Sequence, residues 1–570
     1  MEHSRAMDAA TRTARVERML ANARALLRGR RIAAAYDACR NVVALEAENA
    51  EALGMAGALA LQLGRGIEAV AALERAVAAA PDSAQHWSNL GTARAGAGDM
   101  AGAHDAFARA IKLDPGHRAA RHNLAAAQRA LGDFAGAAET YREALAGGAR
   151  DAAAEAGMAL ALARLGRVDE AAAAGRRAVT LDPEGADPHI ALGVALFAAG
   201  RPDSAVTAFR RALRADMTRA DIHANYARAL GWSGRPREAE TAARRALALT
   251  PNDAEAHLAL AHALLLGGDL VAGFTEYEWR WRTGKLADWG PDLTRVPRWS
   301  GEPFPGRTLL IRAEQGLGDT LQFCRFARQA AARGGTVVLE VQPRLVPLLA
   351  TLDAKIVVRP LRAAGPAADL CAPLLGLPAL LGVTLADLPG PMPYLAADPA
   401  RAADLRGTLT AGGKLAVGIA WAGNPEHAMD RARSVELRRL APLFAVEGVR
   451  WVSLQTGPRS DEAFGLPPDS ETAMAPLLRD FADTAALAAA CDLVVSVDSA
   501  VLHLAGALGR PAWALLPAAT EWRWLAGRDD TPWYPTMRLF RQARATDWAG
   551  VATAAAAELA ALARARAGGA

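Results

Sequence analysis

The chain has 570 residues, 52% hydrophobic and 22% charged, a globular balance long enough for about three or four domains. Its 65 basic and 61 acidic residues leave a net charge of +4, which excludes the basic footprint of a nucleic-acid binder. Four cysteines lie far apart with no C-x-x-C pair, so reduced thiols in the cytoplasm are expected rather than disulfides or a zinc site, and no apolar run is long enough to read as a membrane span or a signal-peptide core.

In chain order, a short tail at residues 1–15 precedes a periodic region. In "QHWSNLGTARAGAGDMAGAHDAFARAIKLDP", Trp87, Leu90, Gly91, Ala103, Phe107, Ala110 and Pro115 match the tetratricopeptide pattern. Stepping by 34 residues gives eight units, starting at Val16, Ala50, Ala84, Arg118, Ala152, Ala186, Ala220 and Ala254. The small residue twenty positions into each unit recurs at Ala35, Ala69, Ala103, Ala137, Ala171, Ala205, Ala239 and Gly273, where it lets two helices approach. Prolines 81, 115, 183 and 251 close second helices. The resemblance implies an all-α tetratricopeptide superhelix over residues 16–287, with a groove for an extended protein partner. A spacer or dimerisation surface is the alternative. Asn89, Asn123 and Asn225, each sixth in its unit, are candidate acceptor-binding residues, or ordinary surface asparagines.

The eighth unit gathers Tyr277, Trp279 and Trp281, as expected where the array packs on a following domain. Prolines 291, 297, 303 and 305 then mark a linker at 288–306. Beyond it the period changes. Runs such as "TLLIRAE", "TVVLEVQ" and "AKIVVRP", then "KLAVGIAW", "RWVSLQ", "DLVVSVDS", "PAWALLP" and "MRLFRQ", read as buried strands, with helical segments between many of them. Two α/β Rossmann-like domains are expected, at 307–400 and 401–570, the second ending in a closing helix. Ligands bind such sheets beyond the carboxyl ends of the strands.

Three loops lie there. "EQGLGDTLQF" carries Gly316 and Gly318 in a tight turn, with Asp319 in the first turn of the next helix. It is neither a Walker loop nor a dinucleotide motif. "AWAGNPEHAMDRARSVEL" places Asn424 in a turn, followed by Arg431, Arg433 and Ser434; arginine plus hydroxyl beside a strand end suits phosphate oxygens. "VVSVDSAVLHLAGALGRP" ends a strand at Asp498 and opens a helix with Ser499 and Ala500, leaving His503 close by. Taken singly, each loop also reads as ordinary structure: a helix-start aspartate, a solvated basic loop, a core histidine.

In this order the loops resemble the heptosyltransferase-like glycosyltransferases of family 9, of the GT-B fold, over residues 307–548. The resemblance implies that Asp319 is the catalytic base. It further implies that Asp498, Ser499, Ala500 and His503 hold the donor's diphosphate and ribose, and that Arg433, with Arg431 behind it, assists the phosphates. Gly316, Gly318 and Asn424 complete the implied donor site. Ala500 stands where the family more often has glycine. The whole chain is similar to bacterial proteins in which tetratricopeptide repeats precede such a domain, some implicated in protein and flagellin glycosylation. Implied is an inverting, metal-independent transfer from a nucleotide-sugar donor to a protein acceptor, with the sugar nucleotide as substrate and no cofactor. Glu314 is a second carboxylate that a covalent route would need. A degenerate, non-catalytic GT-B scaffold is the alternative.

Overall fold

The computed structural model describes residues 2–283, 293, 295–363, 365, 367–426, 429–472, 478–519 and 521–568. The chain folds as two compact units, Met1–Ala195 and Leu196–Ala570.

The first unit is made of antiparallel helix pairs. Helices begin at Ala50, Ala84, Arg118 and Ala152, and each is followed by a partner, as Ala84–Gly96 is by Met100–Leu113. Their spacing is the 34-residue period of the sequence. The turns have a shared physical cause. A glycine at φ +73°, +86°, +86° and +73° (Gly64, Gly98, Gly132, Gly166) reverses the chain in a region that other residues avoid. Asp99 and Asp133 then cap the second helices, accepting from Gly102 N and Gly136 N at 2.8 Å. Packing is tight because small residues face large ones. A Cβ at Gly91 would lie 2.6 Å from the buried Phe107 ring, and one at Gly157 would lie 2.3 Å from Tyr141. Residues 2–15, expected as a tail, continue the helix Glu2–Arg28.

The second unit joins the last repeats to the α/β region. Its helical part includes Pro202–Ala215, Ala220–Trp232, Pro236–Leu249, Ala254–Gly267 and Leu270–Tyr277, the last running into a 3-10 turn, Glu278–Arg282. Residues 284–292 and 294, the first part of the expected linker, lie outside the described residues. The linker's later part is tied to a sheet, since Trp299 N donates to Cys371 O and Cys371 N to Pro297 O, both at 2.9 Å.

Two parallel sheets follow. The first has the order β3-β2-β1-β4, with β1 at Thr308–Arg312, β2 at Thr336–Val341, β3 at Ile356–Pro360 and β4 at Leu370–Pro373. The four-residue β4 is absent from the sequence reading because so short an apolar stretch carries no periodicity. The second sheet has the order β6-β5-β7-β8-β9, with β5 at Leu415–Ala420, β6 at Val449–Ser453, β7 at Leu493–Val497, β8 at Ala512–Leu516 and β9 at Met537–Arg541. The final helix, Trp548–Gly568, packs Trp548, Val551 and Leu559 onto Val417, Ile419, Trp451 and Leu515 of the second sheet.

The compact division therefore falls within the repeats and not in the proline-rich segment. Leu265, Leu266, Leu270 and Phe274 share one core with Ile311, Phe323 and Phe326 and with Trp522, Trp533 and Tyr534. Of the three aromatics of the eighth unit, Tyr277 packs on this core, and Trp281 packs beside Leu293, Leu310, Val338 and Cys371. Trp279 does not join the next domain. It stacks on His257 of the preceding helix at 3.7 Å. No helix among the described residues is long and apolar enough to cross a membrane.

Overpacking gives a direct test of the repeat contacts. Gly91→Ala is expected to cost about 1–3 kcal/mol, because the new methyl meets the Phe107 ring in a filled core. Gly96→Ala, where nothing lies within 4 Å, is expected to be neutral or to gain up to about 1 kcal/mol from helix propensity. Denaturant unfolding of the two variants measures both.

Candidate active site

β1 ends at Arg312, and the chain turns through Glu314 and Gln315 into the helix Leu317–Phe323. Gly316 is the N-cap. Having no side chain to cap with, it is served by Asp319, whose Oδ2 accepts from Gly316 N at 2.9 Å. This is the ordinary helix-start function of a first-turn carboxylate. The other oxygen does something else. Asp319 Oδ1 accepts from Arg523 Nη2 at 2.5 Å, across from the second sheet.

Arg523 follows the end of β8. Its Nη1 meets Glu521 Oε1 at 2.5 Å, and its Nε donates to Gln322 Oε1 at 2.8 Å. The Trp522 ring lies 4.2 Å from its guanidinium carbon. Burial disfavours the cation, but Glu521 and then Asp319 raise Arg523 above its ordinary value. Glu521 is pushed up to about 7, first by burial and also by the Asp498 and Asp319 carboxylates, against the pull of Arg523.

The third loop meets the first directly. β7 ends at Val497, Ser499 is the N-cap of the helix Ala500–Ala507, and a Cβ on Gly318 would lie 2.9 Å from His503 Cδ2 and 3.5 Å from Ala500 Cα. Glycine at 318 is thus what lets the two helix starts touch. Ser499 makes no side-chain cap; its hydroxyl pairs with Ser496 Oγ at 2.9 Å. The helix start therefore keeps its N–H groups uncapped by Ser499. His503 is buried. Its Nδ1 lies 3.0 Å from the Tyr534 hydroxyl, its ring stacks on Trp524, and Nε2 is 3.9 Å from Asp498 Oδ1. Burial first, then the charges of Arg523, Arg325 and Arg433, hold His503 well below its ordinary value, so it is neutral.

The second loop supplies a cation. Arg433 Nε stands 3.5 Å from Asp430 Oδ1, and a Cβ on Gly423 would lie 2.7 Å from Arg433 Nη2. Ser434 Oγ donates to Asp430 at 2.7 Å and accepts from Gly423 N at 2.9 Å, fixing the turn. Arg433 is half-buried, whereas Arg431 and Asn424 are exposed. Asn424 Oδ1 accepts from Glu426 N at 3.1 Å, a turn contact. Residues 427 and 428 of this loop lie outside the described residues.

The two helix starts thus bring Gly316, Gly318, Asp319, Asp498, Ser499, Ala500 and His503 together, with Arg433 near enough to act on His503. The array asparagines are partly committed. Asn89 Oδ1 accepts from Gln85 at 2.9 Å, and Asn225 donates to Asp221 O and accepts from Arg228. No contact of the Asn123 side chain stands out. Glu314 is engaged elsewhere. It is buried, pairs with Arg280 at 3.0 Å and accepts from the Leu374 and Leu375 amides, which removes it as a second reacting carboxylate.

Glu521, Arg523 and Tyr277 escaped the sequence reading as site residues. The signal was the charged and aromatic run "EWRW" just past β8, at a strand's carboxyl end.

The neutrality of His503 has a stability consequence. A histidine with a depressed folded value binds fewer protons folded than unfolded, so its contribution is whole above about pH 6.5 and is lost as pH falls below that. The stability advantage of wild type over His503→Gln is expected to shrink between about pH 7 and 5 in denaturant titrations.

Comparisons with known proteins agree with this layout. Tetratricopeptide repeat models match residues 67–118, 88–156, 122–186, 156–220 and 196–263. A model described as glycosyltransferase family 9 (heptosyltransferase) matches residues 466–543, which hold Asp498, Ser499, His503, Glu521 and Arg523. Protein FlbA of Caulobacter vibrioides is 32% identical over 309 residues, covering 49% of this chain and 50% of FlbA, so the chain spans about half the length of that curated relative. Among solved structures, a tetratricopeptide protein of Thermus thermophilus is 25% identical over 32% of this chain and all of its own, with a TM-score of 0.30. The Cut9–Hcn1 hetero-tetramer of the APC/C is 18% identical over 47% of this chain and 53% of its own, with a TM-score of 0.37. The chain thus carries tetratricopeptide repeats followed by a glycosyltransferase family 9-like region.

Proposed function

We propose that the chain is a glycosyltransferase that moves a sugar from a nucleotide-sugar donor to a protein acceptor bound by the repeats. The observation that supports this reading is the close approach of Gly318 to Ala500 and His503, which brings Asp319 near the helix start that follows Asp498 and Ser499. The family 9 match over 466–543 supports the activity class.

In this reading the acceptor hydroxyl attacks the anomeric carbon while Asp319 takes its proton, and the bond to the nucleoside diphosphate breaks. One face of the sugar is attacked as the other loses the diphosphate, so the transfer inverts. Each carboxylate oxygen has two lone pairs, so Asp319 keeps acceptor capacity beside its bonds to Gly316 and Arg523. Arg523 would hold the carboxylate in place. The negative charge growing on the departing diphosphate would meet Arg433 and the N–H groups opening the helix Ala500–Ala507. Those groups supply the charge a metal would otherwise bring, so the transfer is proposed to need none. Flagellin is the first acceptor to try, on the resemblance to repeat-bearing transferases implicated in its glycosylation. A scaffold without catalysis is the second reading, favoured by the Arg523 ion pair that engages Asp319.

Thermal shift against nucleoside diphosphates and their sugar conjugates tests the donor site. One nucleotide is expected to stabilise the protein, and Arg433→Ala is expected to weaken its binding about 10–100-fold, the loss of a charge-assisted contact of about 1.5–3 kcal/mol. Asp319→Asn is expected to abolish transfer while keeping nucleotide binding. Turnover retained in that variant removes Asp319 as the base, and silence toward every nucleotide favours the scaffold.

A further inference from the structure

The eighth repeat reaches the loop that carries Asp319. Tyr277, at the end of the helix Leu270–Tyr277, pairs its hydroxyl with the Gln315 amide, Nε2 to oxygen at 2.9 Å. Three residues on, Arg280 is almost wholly buried. It ion-pairs with Glu314 Oε1 at 3.0 Å, bonds Glu278 and stands 4.9 Å over both the Tyr277 and Trp281 rings. Burial raises the Glu314 carboxyl to about 7, with Arg280 and the Leu375 amide pulling the other way. Two successive residues of the loop, Glu314 and Gln315, are therefore gripped by the repeat.

The grip extends to the turn itself. Gln342 Nε2 donates to the Gln315 carbonyl at 2.7 Å. Gln342 Oε1 lies 3.0 Å from Thr320 Oγ1, which also lies 3.2 Å from the Gly316 carbonyl. Thr320 follows Asp319 directly, and Gly316 is the residue whose N–H Asp319 caps. Behind the turn, Phe274 of the repeat packs edge-on against Phe323 at 5.7 Å and Trp522 at 5.6 Å. Tyr277 also lies within the field of Arg523 and Asp319, and burial raises its hydroxyl's pKa.

We propose that Tyr277 and Arg280 of the eighth repeat are positioning residues for the transfer site, setting the 314–320 loop so that Asp319 faces Arg523 and the second sheet. This rests on the transferase reading for its catalytic meaning. The eighth repeat is then part of the catalytic body, not an exchangeable arm that only brings the acceptor.

Tyr277→Phe in the full chain removes one hydroxyl and keeps the ring. Its kcat is expected to fall about 10-fold, with KM for the nucleotide sugar and nucleotide binding held within about 2-fold. Backbone hydrogen exchange across residues 314–320 is expected to quicken about 5-fold, the loss of one hydrogen bond. Arg280→Lys is expected to retain more kcat than Arg280→Ala. Unchanged exchange in Tyr277→Phe overturns the proposal, as does faster exchange with unchanged kcat. A wild-type chain that turns over no nucleotide sugar defeats the transferase reading alone; the exchange measurement then decides whether the repeat sets the loop.

Discussion

Phe274, Phe323, Trp522 and Trp533 come from three distant segments, and their rings meet at 5.6 to 6.3 Å, edge to face except for the tilted Phe323–Trp533 pair. Each such pair adds about 0.5–1.5 kcal/mol beyond the area it buries. The rest of the second unit depends on this cluster. It brings the end of the array, the helix after β1 and the turn after β8 to one point. The polar groups of the candidate site lie within six residues of these rings on the same segments: Tyr277 and Arg280, Asp319 and Gln322, Glu521 and Arg523. Arg325 reinforces the join, reaching from the first sheet's helix to the Trp533 carbonyl at 3.1 Å and the Tyr394 hydroxyl at 2.8 Å.

On that apolar anchor sits a charge arrangement with a definite sign. Asp319, Glu521 and Asp498 surround Arg523, and His503 beside them is neutral. Left alone, such a set would repel a diphosphate. Arg523 answers two of the carboxylates, and Arg433 stands on another loop, held only by Asp430 among the described residues. The carboxylates and this arginine thus stand on separate loops. Burial of Arg523 and Glu521 strengthens these interactions, because buried charges are screened weakly.

The repeat array was legible because its physics is local. A left-handed glycine recurs every 34 residues from Gly64 to Gly268, small residues face large ones, and each acts within its own helix pair. The two sheets were legible for a similar reason, since buried parallel strands are continuous apolar runs. β4 was not, being four residues long and recognisable only by its pairing with β1. Glu314 shows the other limit. Its place beside a glycine turn suited a reacting group, and only the approach of Arg280, 34 residues earlier, marks it as buried structure.

By itself, then, the sequence determined the repeats, the two parallel sheets and the loops at their carboxyl ends, because these follow from periodicity, burial pattern and turn chemistry over short stretches. Only the tertiary structure decided which of these groups meet. Arg523 meets Asp319 across 204 residues and Tyr277 meets Gln315 across 38, through contacts that no local pattern encodes. It also decided where the compact units divide. The last repeats bury Leu265, Leu270 and Phe274 in the core of the α/β region, and apolar burial there outweighs the prolines that separate them in the chain.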